Sequence, residues 1–295
     1  MSANAPNPVV HLPDQRSRAR VRLVDRFLLG FLSVASLVAI TRLSTRPSAG
    51  WALVAYLLSG LLIVLLTRPG LGVLGRTLHE VYPLLLLVPL YTSLDLLNGI
   101  GQIHVHDPLI RQWEAMIFGE QISQTWRQYH GSIFWSTLFH LSYFAYYLIV
   151  PLPLAWFGIR GDMANLRRSV LIIFSTFLVC YLCFMLFPVA GPYYEFPRPP
   201  HWFTDNYPAR LVYATLATGS SYGAAFPSSH VAGTIAATAA AWMGSRALGA
   251  ILTVATILLT LGVVYCQMHY AVDASAGVLV GLGIALLLRK VNIST

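Results

Sequence analysis

The chain has 295 residues, of which 56% are hydrophobic and only 10% charged, where a soluble domain carries about a quarter charged residues. Its formal net charge of +8 does not mark a nucleic-acid partner, because the basic residues are scattered between apolar runs and not patched onto a soluble module. These values exclude an ordinary soluble domain and place the chain in lipid.

Residues 1–25 form a polar, basic N-terminal arm in which Arg16, Arg18, Arg20 and Arg22 lead, with Arg26, into the first apolar stretch. A cleavable signal peptide has a short apolar core and a small-residue cleavage site. Here the apolar run is long and ends in Thr41-Arg42-Leu43, so it reads as an uncleaved span. A membrane helix needs about 20 mainly apolar residues. Eight stretches qualify: about 27–45, 51–67, 79–98, 132–157, 168–188, 229–245, 249–268 and 270–288. The third carries His79, Glu80 and Asp95 near its ends, and the last two are nearly continuous at Met268-His269. The expected fold is all-α, a polytopic membrane helical bundle. Residues 26–98 form its N-terminal helices and 99–295 its core region.

Between the third and fourth stretches, His104, His106, Asp107, Trp113, Glu114, Phe118 and Trp126 mix charge with aromatic rings at helical spacing. That pattern predicts a short helix lying in the interface, either a simple connection or a wall facing substrate. The three cysteines give no disulfide framework. Cys180 and Cys183 read as packing residues of an apolar helix, and Cys266 is a weaker nucleophile candidate than the His-x-x-x-Asp beside it.

Basic residues gather on the cytoplasmic side of membrane proteins. With the N-terminus inside, eight spans put 13 of the 19 basic residues on that side. Arg42, Arg46, Arg111, Arg127, Arg198 and Arg210 are left outside. This topology sends both termini to the cytoplasm. It also brings His230, at the start of the sixth span, to the same outer boundary as His269 and Asp273 at the start of the eighth.

Ionisable residues at the edges of apolar runs are costly and mark functional sites. His269 and Asp273 are four apart, so on a helix they share a face and the carboxylate reaches the imidazole. Phosphoryl transfer needs a nucleophile, a proton for the leaving oxygen and fixed donors around the phosphate. His269 fits the nucleophile, Asp273 its orienter and His230 the acid. The helix start at Pro227-Ser228-Ser229 suits an anion. Ser228, Ser229, Arg198, Arg210, Tyr270 and His140 are the candidate substrate-binding residues, and Arg127 is a further candidate cation. Tyr143, Tyr146 and Tyr147 read equally as cleft lining and as helix packing. Ligand type alone also allows a metal at His230, His269 and Asp273. Phosphohistidine chemistry explains the same residues without a metal, and no metal or cofactor is expected.

Phe226-Pro-Ser-Ser-His230-Val-Ala-Gly and His269-Tyr-Ala-Val-Asp273-Ala-Ser-Ala-Gly resemble the second and third signatures of the type 2 phosphatidic acid phosphatase superfamily. Looser matches run from Asp107 to Gly119, from His140 to Tyr147 and from Phe187 to Pro192, and they are most similar to its inositolphosphotransferase (inositol phosphorylceramide synthase-like) branch. The resemblance implies a six-helix core, a phosphohistidine at His269, and a lipid phosphate or phospholipid as substrate. The pattern departs at two cations: the first signature's Lys position is Gly191, and the third signature's Ser-Arg positions are Gly262 and Val263. Loss of those charges suits a phosphodiester and head-group transfer better than monoester hydrolysis. The alternative reading is a membrane transporter or ion-binding module without catalysis.

Overall fold

The computed structural model describes residues 21–68 and 71–291, and all of its regular elements are helices. Residues 1–20, with Arg16, Arg18 and Arg20 of the basic arm, lie outside the described residues, as does the side chain of Arg76. Three long helices come first: α1 (Leu23–Arg42), α2 (Ala49–Leu66) and α3 (Val73–Leu97). Two short helices follow, α4 (Asp107–Phe118) and α5 (Ile122–Tyr129). The fourth apolar stretch is broken into α6 (Ile133–Phe144), α7 (Tyr146–Ile149) and α8 (Leu152–Ile159). Pro151 and Pro153 account for the second break, since proline cannot donate to the helical ladder.

The remaining elements are α9 (Met163–Leu186), the loop helices α10 (Pro192–Glu195), α11 (His201–Thr204) and α12 (Tyr207–Gly219), and finally α13 (Ser229–Gly244), α14 (Arg246–Tyr265) and α15 (Ala271–Leu288). Among the described residues, seven helical segments are long and apolar enough to cross a membrane. The segment read from sequence as 229–245 is the difference. It forms a helix of only 16 residues, about 24 Å long at 1.5 Å per residue.

That short helix is the centre of the bundle. Its Ala, Gly and Thr residues are buried on nearly every side, which lets three neighbours approach closely. Gly277 and Gly281 form a small-xxx-small pair on α15. A Cβ at either would stand 2.6 Å from the carbonyl oxygen of Ser228 or of Ala232 on α13. This contact sets the two helix starts side by side, and the Ser228 N–H donates to the Asp273 carbonyl at 3.0 Å. On the other flank, the Thr238 and Thr256 hydroxyls join α13 to α14 at 2.8 Å.

Each end of the bundle is tied by polar groups. At one end Glu80 takes Arg22 at 3.0 Å and Arg167 at 2.5 Å, while buried Asp25 accepts the Tyr82 hydroxyl at 2.5 Å. Of the charges that disturb the apolar pattern of α3, Glu80 is thus paired, and His79 meets Asp25 at 3.3 Å. At the other end Arg42 donates to the Met185 carbonyl at 2.6 Å and the Leu97 carbonyl at 3.2 Å, satisfying helix C-termini that have no partners of their own. Asn98 reaches from there to the Tyr222 carbonyl at 3.2 Å, in the loop that enters α13.

Candidate active site

The starts of α13 and α15 and the loops around them meet at the Arg42 end of the bundle. The chain leaves α14 at Tyr265, turns through residues 266–270 and enters α15 at Ala271. His269 therefore precedes its helix. In that turn the N–H groups of Met268 and His269 both donate to the Val263 carbonyl, each at 3.0 Å. Val189 and Ala224 pair in a short parallel bridge, and the Ala225 N–H donates to the Val189 carbonyl at 2.9 Å. The Ala225 carbonyl, held in this way, faces Nδ1 of His269 at 3.0 Å.

The rings of His230 and His269 lie 5.6 Å apart, centroid to centroid, tilted by 59°. Both line one cleft, with Tyr143, Tyr147, Tyr193 and Ser221 among its walls. His230 is held by aromatic rings: Tyr143 stacks on it at 4.8 Å and Tyr146 lies at 4.5 Å. The Tyr143 hydroxyl shares a hydrogen bond with His230 Nε2 at 3.1 Å, while Nδ1 is buried without a partner. His269 Nδ1 is occupied by a carbonyl acceptor and so carries the proton, which leaves Nε2 with a free lone pair. Burial pushes the His269 imidazole down to about 4, against a smaller upward pull from the Ala225 carbonyl. A neutral ring with one free nitrogen can act as a nucleophile.

Asp273 is fully buried, and its Oδ2 stands 3.6 Å from His269 Nδ1, too far for a hydrogen bond. That oxygen instead accepts the Tyr270 N–H at 2.9 Å, as a third-position carboxylate does at a helix start. The four-residue spacing placed both groups on one helical face, but the helix begins after His269, so the ring takes its hydrogen bond from Ala225. Asp273 makes no hydrogen bond to it.

The other candidates divide by place. Arg198 is exposed and lies over the ring of Tyr193 at 4.7 Å, on the cleft rim. Arg210 pairs with Asp205 at 2.6 Å on the surface and does not line the cleft. The Ser228 hydroxyl caps its own helix, accepting the Val231 N–H at 3.4 Å; Ser229 is buried beside it and outside the cleft lining. Tyr270 is fully buried, its hydroxyl spent on Asp107 at 3.1 Å. His140 is buried against Phe203, with Nδ1 on the Ser136 carbonyl at 2.8 Å. Arg127 is buried and donates to Gln267. Neither position of the missing cations has room for one. Gly191 has φ +94°, and a Cβ there would meet Ala225 at 2.9 Å; Val263 is fully buried.

Sequence alone did not single out the residues that brace the site. Asp107 at the first turn of α4 accepts the N–H groups of Ala190 at 2.7 Å and Gly191 at 2.8 Å. Glu114, two turns further on along the same face, accepts from Ser123 at 3.3 Å and from Val272 at 3.4 Å. Burial pushes the Glu114 carboxyl up to about 7. The signal for both was present: two acids on one side of an amphipathic helix whose opposite side is exposed. The segment thus packs behind the site, turned toward α15, and none of its described residues lines the cleft.

A sequence model of the PAP2 superfamily matches residues 111–287, a span that contains both histidines, Asp273 and every wall of the cleft except Tyr91. No curated protein and no solved structure matches the chain. With more than half of its length matched and the two signature histidines facing each other across one cleft, the chain belongs to the PAP2 superfamily.

Proposed function

We propose that the protein is an integral-membrane enzyme that moves a phosphoryl group from a lipid phosphate or phosphodiester through a phosphohistidine at His269. Membership of the superfamily supports phosphatase-type lipid phosphoryl transfer. The observation that carries the finer reading is the 5.6 Å separation of the His230 and His269 rings across one cleft, which leaves room for a phosphorus atom between them.

In the first step the lone pair of His269 Nε2 attacks phosphorus. The P–N bond forms as the bond to the leaving oxygen breaks, and His230 gives that oxygen its proton. The proton stays on His269 Nδ1, hydrogen-bonded to the Ala225 carbonyl, and a carboxylate charge on Asp273 offsets the cation that forms. In the second step His230 takes a proton from water or from an alcohol, whose oxygen attacks phosphorus and releases His269. Water gives a phosphatase and a lipid alcohol gives a head-group transferase.

Transfer from a phosphodiester, as in the inositolphosphotransferase branch, suits this cleft better than hydrolysis of a monoester. Among the described residues no arginine or lysine lines it and Arg198 stands over its Tyr193, so it offers little positive charge to a dianion, while tyrosine and serine hydroxyls are plentiful. The site is assigned to the extracytoplasmic side. It lies at the bundle end opposite Arg22, Arg167 and Glu80, and most arginines stand at that far end.

The test is reconstituted protein incubated with phosphatidic acid, isoprenyl phosphate or phosphatidylinositol carrying labelled phosphorus. The expected result is acid-labile, base-stable phosphate on His269, followed by free phosphate or a new phospholipid, and neither in His269→Ala. Turnover that survives this substitution ends the mechanism. Substrate that crosses the membrane unchanged, with no label on protein, makes the chain a transporter instead.

A further inference from the structure

Gln267 is a non-glycine residue in the left-handed region, with φ 60°, two positions before His269. Glycine or asparagine adopts that conformation at least cost, so the backbone gives no reason for a glutamine. Its side chain gives one. Gln267 is 2% exposed. Its Oε1 accepts from the buried guanidinium of Arg127, and its Nε2 donates to the Pro192 carbonyl at 3.3 Å and the Pro197 carbonyl at 3.2 Å. The partners fix the amide's orientation, because an arginine offers only donors and carbonyls only acceptors.

These bonds join the turn that carries His269 to the loop between Pro192 and Pro197. Tyr193 and Tyr194 of that loop line the cleft, and Arg198 follows over Tyr193. A shorter side chain would not span both carbonyls, and a glutamate would set a third acceptor against them. We infer that Gln267 is a positioning residue for phosphoryl transfer, clamping the nucleophile's turn to the cleft rim so that His269 meets its phosphorus in line. The inference rests on the phosphohistidine reading above. Misplacing a reacting atom by about 1 Å lowers rate by about 10²-fold, so the clamp acts on rate and not on substrate affinity.

The test compares the parent protein with Gln267→Gly, which removes the clamp and relaxes the backbone, and Gln267→Met, which keeps length without hydrogen bonds. Thermal unfolding in detergent, kcat, KM and the rate of phosphate capture on His269 are measured for each. The expected result is unfolding near the parental temperature, KM within about threefold and phosphate capture slowed about tenfold to a hundredfold. Either variant folded and as fast as the parent overturns the inference. So does failure of both to fold, which would make Gln267 a residue of stability alone. A parent that captures no phosphate on His269 overturns the phosphohistidine reading itself, a result separate from any difference between variants.

Discussion

Nδ1–H of His269 donates its hydrogen bond to the backbone carbonyl of Ala225 at 3.0 Å, and not to the neighbouring Asp273 at 3.6 Å. A carbonyl cannot take the proton away, so in the proposed reaction the ring keeps one tautomer throughout. On that proposal orientation and charge are divided between two groups: Ala225 aims the ring, and Asp273 supplies the field.

This division sets what Asp273→Asn should do. The amide oxygen still accepts the Tyr270 N–H and preserves the start of α15. Only the negative charge beside the phosphorylated ring is lost. A fall in kcat of about tenfold to a hundredfold is expected, with unchanged thermal unfolding. Unchanged kcat would remove Asp273 from the mechanism.

On the proposed mechanism His230 gives a proton to the leaving oxygen, so its importance should follow the leaving group. His230→Ala should slow turnover of an alkyl phosphate lipid by about 10²–10⁴-fold. A nitrophenyl phosphate, whose leaving oxygen needs no proton, should lose less than tenfold in its first step. Equal losses for both substrates would show that His230 binds the phosphate without donating.

The His269 imidazole, pushed down to about 4 by burial, should stay neutral well below the ordinary histidine range of about 6.5. With an aryl phosphate, which needs no acid, phosphate capture on His269 should hold steady as pH falls and fail only near 4. The sign for stability is the reverse of a salt-bridged histidine. The unfolded chain binds a proton that the folded one refuses, so stability is lost as pH drops from about 6.5 toward 4. His269→Gln should flatten that part of the stability profile. A capture limb near 6.5 would show the ring to be in water.

Asp107 holds two backbone N–H groups of the cleft loop in a buried setting. Asp107→Ala leaves both without partners, at about 1–3 kcal/mol each. A lowered unfolding temperature and loss of activity together are expected, measured by thermal unfolding in detergent. Full stability would mean that water replaces the carboxylate.

The sequence was most legible where chemistry is local. Pro227-Ser-Ser-His230 and His269-x-x-x-Asp273 each state a residue type and a spacing, and the apolar runs around them say that both sit at bundle ends. What could not be read was the depth of each helix start. Two residues' difference in where α15 begins moves His269 off the helical face it would share with Asp273. Long-range partners were equally hidden: nothing near Asp107 in the chain announces Ala190 or Gly191. The count of spans differs at α13 because its helix runs only from Ser229 to Gly244.

The central helix is about 24 Å long at 1.5 Å per residue, less than a hydrocarbon layer about 30 Å thick, and exposed Arg246 follows its far end. On the proposed function, with Arg246 held among the far headgroups, the reactive pair would stand below the near ones, and the thickness of the membrane would govern how readily a phosphate reaches the rings.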